Sequence, residues 1–321
     1  MIRSSLNAAE GIDFPVIFLA GTTASGKTEL ALKLAEEFPI DLVSVDSGQV
    51  YRGMDIGTAK LPREVLDGVP HALIDIRNLD SPYSAADFQK DARQFILQSR
   101  SRGRIPLCVG GTLFYFSALL HGLSKLPRAD AALRASLEQE ARSIGWDALY
   151  ERLRRLAPKR SEQIEPHDRQ RILRALEVCE LGGESGAATE RSGGLMDADV
   201  PVLKLCLFAS DRAVLHERIS HRFKRMLEQG FLEEVKNLRS AFPEAQPTPA
   251  MRSVGYQQAW HYLDGKISRQ RFEEDAQTAT RRLAKRQLTW LRNDPGWIWF
   301  DALNPGVIGA TSRFLASAGC G

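Results

Sequence analysis

The sequence predicts an α/β protein in which a parallel β-sheet carries helices on both faces and a helical domain is inserted. Three observations support this prediction. Short apolar runs of strand type alternate with segments of helical spacing over residues 15–120. A glycine-rich loop joins the first apolar run to the first helical segment. Between residues 123 and 198 the strand-type runs stop and helical patterns rich in Arg and Ala take over, which predicts the insertion.

Five apolar runs are the predicted strands of the sheet. They are Pro15–Ala20, Leu42–Val45, Leu73–Ile76, Ile105–Val109 and Val202–Phe208. The first helix follows the glycine-rich loop, with Leu30, Leu34 and Phe38 at helical spacing. Another helix is predicted to begin at Ser84, where Asp87 completes a capping pattern. The chain after the last predicted strand is expected to be mostly helical. Because the carboxyl ends of parallel strands meet at one edge, we expect ligands to bind there.

The bulk composition is typical of a globular protein. The chain has 321 residues, of which 43% are hydrophobic and 26% are charged, and its formal net charge is +3. This length fits about two domains on a prior of roughly 150 residues each. We expect a core formed by residues 14–122 and 199–300, a helical insertion at residues 123–198 and a C-terminal tail at residues 301–321.

The composition also argues against several classes of protein. The four cysteines are far apart and none forms a Cys-x-x-Cys pair, which disfavours a disulfide framework or a zinc site. The segment Met1–Asp13 lacks the apolar stretch of a signal peptide, and no window reaches the length of a membrane span. We therefore expect a cytoplasmic protein with no membrane partner. We also expect the protein to be a monomer.

The most informative motif is the loop Gly21-Thr22-Thr23-Ala24-Ser25-Gly26-Lys27-Thr28, which matches Gly-x4-Gly-Lys-Ser/Thr at every defined position. A strand, this loop and a helix in that order bring backbone N–H groups and a helix N-terminus to one point, which binds phosphate oxygens. Lys27 would neutralise phosphate charge, and the Thr28 hydroxyl would ligate Mg²⁺. The core is therefore predicted to be P-loop NTPase-like and to bind a di- or triphosphate, although the loop does not specify which one.

Two polar turns follow predicted strands at the same edge of the sheet. One is Asp46-Ser47-Gly48-Gln49, where the acid could serve Mg²⁺ through water, accept a substrate proton or be a solvated turn residue. The other is Gly110-Gly111-Thr112. Many P-loop ATPases and GTPases have an Asp at the end of such a strand to serve Mg²⁺. The glycine turn therefore disfavours a motor or switch NTPase.

Two clusters of basic residues indicate a polyanionic partner. Arg171 and Arg174 share one face of a predicted helix. The segment Arg281–Arg292 contains five basic residues and no acid. Self-repulsion in such a patch costs stability, which favours a polyanionic partner, although a single run of charges is usually a solvated face. The rings of Tyr256 and Trp290 are suited either to stacking on unpaired bases or to packing in the core.

Taken together, these segments resemble the tRNA dimethylallyltransferase family, whose members prenylate an adenosine beside the anticodon. The matching segments span nearly the whole chain and are Gly21–Thr28, Ser44–Lys60, Pro70–Ile76, Tyr83–Phe88, Gly110–Thr112, Asp168–Glu177, Val254–Gln257 and Ala284–Arg292. The segments Asp55–Lys60 and Lys285–Trp290 are specific to that family, whereas the phosphate loop alone is not. The chain departs from the usual pattern at Thr22, where the family has Pro, and at His167, where it has Asn.

The resemblance implies that the bound anion is the diphosphate of dimethylallyl diphosphate, and that N6 of the adenosine at tRNA position 37 receives the dimethylallyl group. Thr23 and the rest of the loop would hold the diphosphate with Mg²⁺, and Arg222 would supply a further cation. Asp46 would accept a proton from the adenine amine, which is a poor nucleophile because its lone pair is delocalised into the ring. The residues implied to contact the tRNA anticodon stem-loop are Asp46, Ser47, Gly48, Gln49, Thr112, Arg134, Gln170, Arg171, Ile172, Leu173, Arg174, Arg252, Ser253, Val254, Gly255, Tyr256, Gln257, Lys285, Arg286, Gln287, Leu288, Thr289, Trp290, Leu291 and Arg292.

Two other functions fit the same residues. An ATP-dependent small-molecule kinase would use the same phosphate loop, and its basic helices would form a lid or solvated faces. An RNA-binding module with a vestigial phosphate site would keep the basic clusters without turnover.

Overall fold

The computed structural model describes residues 14–127, 129–182, 191–243, 248 and 250–320. The chain divides into two compact units. The core unit comprises Met1–Leu120 and Leu195–Gly321, and the insertion unit comprises His121–Gly194. Of the segments considered above, Met1–Asp13 and parts of the stretches at residues 182–194 and 242–249 lie outside the described residues.

Eight strands occur among the described residues: β1 (Val16–Gly21), β2 (Ile40–Val45), β3 (His71–Ala72), β4 (Ile105–Gly110), β5 (Leu123–Ser124), β6 (Arg191–Ser192), β7 (Val202–Phe208) and β8 (Ile298–Asp301). Six of them form one parallel sheet in the core unit, in the order β3-β2-β4-β1-β7-β8. Strands β5 and β6 pair antiparallel in the insertion unit.

The described helices are α1 (Lys27–Glu37), α2 (Arg63–Gly68), α3 (Ala85–Ser101), α4 (Leu113–His121), α5 (Ala131–Ile144), α6 (Trp146–Leu156), α7 (Pro158–Ser161), α8 (Arg169–Glu180), α9 (Arg212–Glu228), α10 (Phe231–Ala241), α11 (Tyr256–Leu263), α12 (Arg269–Asn293) and α13 (Val307–Leu315). Among the helices of this described part, none combines the length and the apolar character that crossing a membrane requires.

Strand β1 lies in the middle of the sheet, and its side chains supply both faces of the core. Phe18 and Ala20 belong to the apolar cluster on one face, and Ile17 and Leu19 belong to the cluster on the other face. Successive side chains of a strand point to opposite faces, so a strand covered on both sides is continuously apolar. Leu315 of α13 is fully buried in the second cluster. Part of the segment expected to be a tail is therefore a helix packed on the sheet.

The predicted α/β class is confirmed, and four of the five predicted strands overlap observed ones. The prediction for Leu73–Ile76 is wrong, because the third strand is His71–Ala72. Leu73 and Asp75 have φ angles of 67° and 55°. These values lie in the left-handed region, which an extended strand excludes. The helix start at Ser84 is confirmed, since its hydroxyl caps the Asp87 N–H at 3.2 Å.

Two further differences concern short strands. The expectation that residues 123–198 contain no strand is wrong, because β5 and β6 form a two-residue antiparallel pair there. Strand β8 was not predicted, and it extends the parallel sheet beside β7. Both errors arise because strands this short give no measurable alternation in a sequence.

The insertion unit has an apolar core of its own. Leu137 of α5, Leu149 and Leu153 of α6, and Ile172 and Leu176 of α8 are buried in it. The helical pattern predicted for this region is therefore the packing face of a separate small bundle.

Candidate active site

The phosphate loop joins β1 to α1 in a conformation that glycine makes possible. Gly26 precedes α1 with φ 91°, in the left-handed region, and Ala24 has φ 61°. The ammonium of Lys27 donates to the carbonyl of Thr22 at 2.6 Å, which folds the lysine side chain over the loop. The hydroxyls of Thr22 and Ser25 are buried without a hydrogen-bond partner among the described residues. A buried polar group without a partner costs stability, so these hydroxyls are suited to a ligand.

Asp46 lies directly after β2, and its carboxylate shapes its own turn. Oδ1 accepts hydrogen bonds from the N–H groups of Gly48 at 2.8 Å and Gln49 at 3.2 Å. The next residue, Ser47, donates its N–H to the hydroxyl of Thr112 at 3.1 Å. The two polar turns predicted from the sequence are therefore in direct contact. Both bonds to Asp46 use Oδ1, so Oδ2 is the oxygen suited to accept a substrate proton.

Lys27, Asp46 and Arg222 line one cavity of about 530 Å³ in the core unit. The pKa of Lys27 is lowered from 10.5 to about 8, mainly by burial and also by the charge of Arg222, while the charge of Asp46 acts in the opposite direction. Burial also lowers the pKa of Arg222, while Asp46 raises it. Two desolvated cations that face one carboxylate leave a net positive charge, which suits an anionic ligand.

Gln287 of α12 joins the phosphate loop to the second polar turn. Its Oε1 accepts from the N–H of Thr23 at 2.9 Å, and its Nε2 donates to the carbonyl of Gly111 at 2.9 Å. Only 7% of Gln287 is exposed. A Cβ at Gly111 would lie 2.6 Å from Nε2, so the bridge requires glycine there. The structure thus places the Gln287 side chain inside the site, where it holds two loops together.

A second cavity, of about 1370 Å³, shares its walls with the first. Lys27, Thr28 and Arg222 line both cavities, and so do Ala59 and Leu61. The phosphate loop, Arg222 and the segment that contains Ala59 therefore lie between the two spaces.

The residues that resemblance assigned to tRNA differ widely in exposure. The exposed ones are Ser47, Gln170, Arg171, Arg252, Gln257, Lys285, Arg286, Thr289, Trp290 and Arg292. Those of intermediate exposure are Asp46, Gln49, Thr112, Arg134, Arg174, Ser253, Val254, Gly255 and Leu288. The buried ones are Gly48, Ile172, Leu173, Tyr256, Gln287 and Leu291. The sequence left open whether Tyr256 and Trp290 stack on bases or pack in the core. In the structure they differ in exposure, because Tyr256 is 1% exposed and Trp290 is 41% exposed.

The basic residues of the two predicted clusters differ in whether a carboxylate pairs with them. In the insertion unit, Arg134 and Arg174 pair with the fully buried carboxylate of Glu177 at 3.3 Å and 2.9 Å. In the core unit, α12 carries Arg281, Arg282, Lys285, Arg286 and Arg292. Within the described ranges, none of these five has a carboxylate oxygen within 4 Å of a side-chain nitrogen. The segment Arg281–Arg292 of α12, which contains no acid in its sequence, therefore also has no acid paired with its cations within the part of the chain that the structure describes.

Sequence reasoning missed Glu234 of α10. Its carboxylate accepts hydrogen bonds from the backbone N–H groups of Asp55, Ile56 and Gly57, and from the hydroxyl of Tyr256. No local signal distinguishes it from its neighbour Glu233, because its partners lie more than 170 residues away or in another helix.

Comparison with known proteins agrees with this geometry. A sequence profile of the family described as IPP transferase matches residues 49–294. A tRNA dimethylallyltransferase of Alkalilimnicola ehrlichii is 48% identical over 305 residues, which cover 94% of this chain and 96% of that protein. One of Thiobacillus denitrificans is 51% identical over 290 residues, which cover 90% and 92%. The crystal structure of a tRNA isopentenylpyrophosphate transferase from Bacillus halodurans matches with a TM-score of 0.69 at 36% identity, covering 94% of this chain and 96% of that one. The predicted P-loop NTPase-like fold is thereby confirmed.

Proposed function

Because the chain belongs to the IPP transferase family, we propose that its transfer of a dimethylallyl group to tRNA uses dimethylallyl diphosphate as the donor and N6 of the adenosine at position 37 as the acceptor. The observation that carries this proposal is the meeting of Lys27, Arg222 and Asp46 at one cavity. The two cations suit a diphosphate leaving group. The carboxylate suits a reaction that must also remove a proton.

The diphosphate would lie against the phosphate loop. The positive charges of Lys27 and Arg222 line the first cavity, where they would face the diphosphate. The hydroxyls of Thr22 and Ser25 in the loop have no hydrogen-bond partner among the described residues, and Ser25 lines the second cavity, so we assign them to the bound anion as further donors. Thr23 lines the first cavity together with Lys27 and Arg222, and we assign its hydroxyl to this site as well. Preorganised donors of this kind stabilise the charge that develops on the diphosphate as the C–O bond breaks.

Mg²⁺ fits this arrangement as a cofactor. Thr28 stands in the first turn of α1 and lines both cavities, and we assign its hydroxyl to the ion. Among the described residues there is no group of three or more His, Cys, Asp or Glu residues suited to a metal. The remaining ligands would therefore be diphosphate oxygens and water, which is usual for Mg²⁺. Bound there, the ion would neutralise charge on the leaving group.

In the proposed reaction, the adenine N6 forms a bond to the allylic carbon of the donor while the bond from that carbon to the diphosphate oxygen breaks. The diphosphate leaves with the electron pair of the C–O bond. The proton lost from N6 passes to Oδ2 of Asp46, whose other oxygen is held by the turn. Because the target base must leave its stack to reach the cavity, binding costs a few kcal/mol. Basic contacts to the tRNA backbone would offset that cost.

The proposed tRNA surface includes the unpaired cations of α12. Lys285, Arg286 and Trp290 are exposed, while Arg286 and Trp290 also line the cavity that holds Asp46. Phosphate contacts at Lys285 and Arg286 would bring the anticodon stem-loop to the mouth of this cavity. We also propose that the enzyme acts as a cytoplasmic monomer, which light scattering and cell fractionation would test.

The kinase alternative is not favoured, because the family and the relatives are prenyl-transferring enzymes. The test uses radiolabelled dimethylallyl diphosphate, Mg²⁺ and unmodified tRNA, without ATP or GTP. We expect label to enter the tRNA at adenosine 37, and a tRNA with guanosine at that position to remain unlabelled. Strict dependence on ATP, or tRNA binding without label transfer, would contradict the proposed function.

A further inference from the structure

One carboxylate holds an entire turn of the backbone beside the candidate active site. Oε2 of Glu234 accepts from the N–H groups of Asp55 at 2.9 Å and Ile56 at 2.6 Å. Oε1 accepts from the N–H of Gly57 at 3.1 Å and from the hydroxyl of Tyr256 at 2.6 Å. Four donors thus converge on a single side chain. Such charge-assisted bonds are stronger than bonds between neutral groups, and they replace the partners that a helix or strand would give these amides.

The far end of the same segment is held by a buried cation. Lys60 pairs with Asp55 and, at 2.6 Å, with Asp75, and it donates to the carbonyl of Tyr51 at 3.0 Å. Only 4% of the Lys60 side chain is exposed. The segment Asp55–Lys60 is therefore fixed at one end by Glu234 and at the other by Lys60.

Between these two anchors, the segment contacts the site. The carbonyl of Thr58 lies 3.5 Å from Nη2 of Arg222 and 3.4 Å from Nε2 of Gln49. The Thr58 side chain also packs on the Asp46 turn, because a Cβ added at Gly48 would lie 2.8 Å from its methyl group. Ala59, the next residue, lines both cavities. The position of this segment thus bears on Arg222 and on the turn that carries Asp46.

The packing at Gly57 shows how closely the segment must follow its anchor. A Cβ at Gly57 would lie 2.4 Å from the ring of Phe231 and 2.5 Å from the ring of Tyr256. These two rings pack edge to face, with their centroids 5.1 Å apart. The backbone at Gly57 therefore lies directly on the Phe231–Tyr256 pair, and the hydroxyl of Tyr256 meets Glu234.

We propose that Glu234 is a positioning residue for the transfer reaction, because it holds the segment Asp55–Lys60 where the Thr58 carbonyl meets Arg222 and where Thr58 packs on the Asp46 turn. The inference rests on the proposed function, which makes Arg222 and Asp46 the residues that touch the reacting groups. Glu234 touches neither substrate and acts only through this segment.

The first test compares Glu234→Gln with Glu233→Gln as a matched control. Glu233 is the neighbouring exposed acid on α10, and its carboxylate pairs with Lys236 at 3.2 Å. In Glu234→Gln one oxygen becomes an amide group that donates, so one set of donors loses its acceptor. We expect kcat to fall about ten- to hundredfold, since displacement of a site by about 1 Å has effects of that size. Affinity for tRNA should stay unchanged, and Glu233→Gln should behave as the parent. A fall in tRNA affinity with kcat unchanged would overturn the proposal.

The second test separates positioning from simple loss of stability. Arg222→Lys is combined with Glu234→Gln, and kcat is measured for the parent, both single variants and the double variant. If Glu234 acts through Arg222, the double variant should lose much less than the product of the two single losses. Fully multiplicative losses would overturn the proposal, whatever the melting temperatures. Label transfer by the parent in the same assay tests the proposed function separately.

A third variant keeps the inference testable if Glu234→Gln does not fold. Tyr256→Phe removes one of the four donors and keeps the ring on Gly57 and Phe231. Because three donors remain, we expect kcat to fall less than in Glu234→Gln. Combined with Arg222→Lys, the double variant should again lose less than the product of the two single losses. Multiplicative losses in this cycle would overturn the proposal as well.

Discussion

The side-chain oxygen of Gln287 accepts a hydrogen bond from the backbone N–H of Thr23 at 2.9 Å, so α12 is attached directly to the phosphate loop. The same amide donates to Gly111 at the end of β4. Exposed cations at Lys285 and Arg286 immediately precede Gln287 on the helix. The helix that is proposed to receive tRNA phosphates is therefore also the one that holds the diphosphate site in place.

Replacing Gln287 with Leu should impair donor binding. The substitution leaves the Thr23 N–H and the Gly111 carbonyl without partners, and each buried unpaired group costs about 1–3 kcal/mol. We expect lower stability in urea and a higher KM for dimethylallyl diphosphate, with the affinity for tRNA little changed. Gln270→Leu is the matched control, since Gln270 is an exposed residue of the same helix that bonds to Glu274. Weaker tRNA binding with an unaltered donor KM would contradict this prediction.

The sequence predicts those parts of the site that depend on local order. The phosphate loop is recognisable because a strand, a glycine loop and a helix follow each other without interruption. The sequence also predicts that Asp46 and Gly111 lie close together, because both follow strands of one parallel sheet, and the contact between Ser47 and Thr112 agrees with that prediction. Each of these predictions needed only short segments and the rule that parallel strands end at one edge.

The rest of the site depends on distant pairs that no local pattern records. Gln287 and Thr23 are 264 positions apart, and the segment Lys285–Trp290 suggested only an exposed basic helix. Glu234 is preceded by a second Glu on the same helix, and only the fold decides which of the two faces the Asp55 amides. The prediction of a strand at Leu73–Ile76 is wrong for a related reason. A packed turn and a buried strand both require apolar side chains, so the sequence does not distinguish them.

The substitution Asp46→Asn should separate proton transfer from loop geometry. An asparagine keeps Oδ1 as the acceptor for the Gly48 and Gln49 amides, while Oδ2 becomes an amide that cannot accept a proton. A positioned general base contributes about 10²–10⁴-fold, so we expect kcat to fall by that factor. Binding of dimethylallyl diphosphate should change little. Asp80→Asn, at an exposed position, is the control, and full turnover by Asp46→Asn would exclude its role as the base.

The pKa of Lys27 predicts how donor binding depends on pH. Burial lowers this pKa to about 8, so the ammonium of the unliganded enzyme loses its proton as the pH rises through that value. The donor's phosphates are fully ionised well above pH 6, so Lys27 is the group that titrates. We expect affinity for dimethylallyl diphosphate to fall from pH 7.5 to 9.5, with proton uptake on binding in the upper half of that range. Calorimetry in two buffers of different ionisation enthalpy measures both quantities.

A variant should remove this dependence. Lys27→Gln should bind the donor weakly and equally at all these pH values, whereas Lys236→Gln, on the surface of α10, should keep the parent profile. The same shift affects stability with the opposite sign. Because the folded-state pKa lies below the usual 10.5, burial of the charged form destabilises the unliganded protein below pH 8, and this cost disappears as the pH rises towards 10.5. A pH-independent donor affinity in the parent would contradict the assignment of Lys27.

The unpaired cations of α12 predict the salt dependence of tRNA binding. Lys285 and Arg286 are exposed, and the structure shows no carboxylate within 4 Å of either among the residues it describes. A cation that contacts a phosphate releases counterions, and each lost contact lowers the slope of log affinity against log salt by about 0.7–0.9. The double variant Lys285→Ala, Arg286→Ala should therefore bind tRNA more weakly and with a shallower slope. Its affinity for dimethylallyl diphosphate should match that of the parent.

The matched control is the double variant Arg269→Ala, Arg271→Ala near the start of the same helix. These two arginines already pair with Glu273 and Asp275 one turn further on, so their charges are compensated within the helix. Removing them deletes the same formal charge from α12 but should leave the slope unchanged. Equal slopes for the parent and both double variants would mean that Lys285 and Arg286 face solvent rather than phosphate. Equal reductions in both variants would mean that tRNA senses the overall charge of the helix, not specific contacts at its C-terminal half.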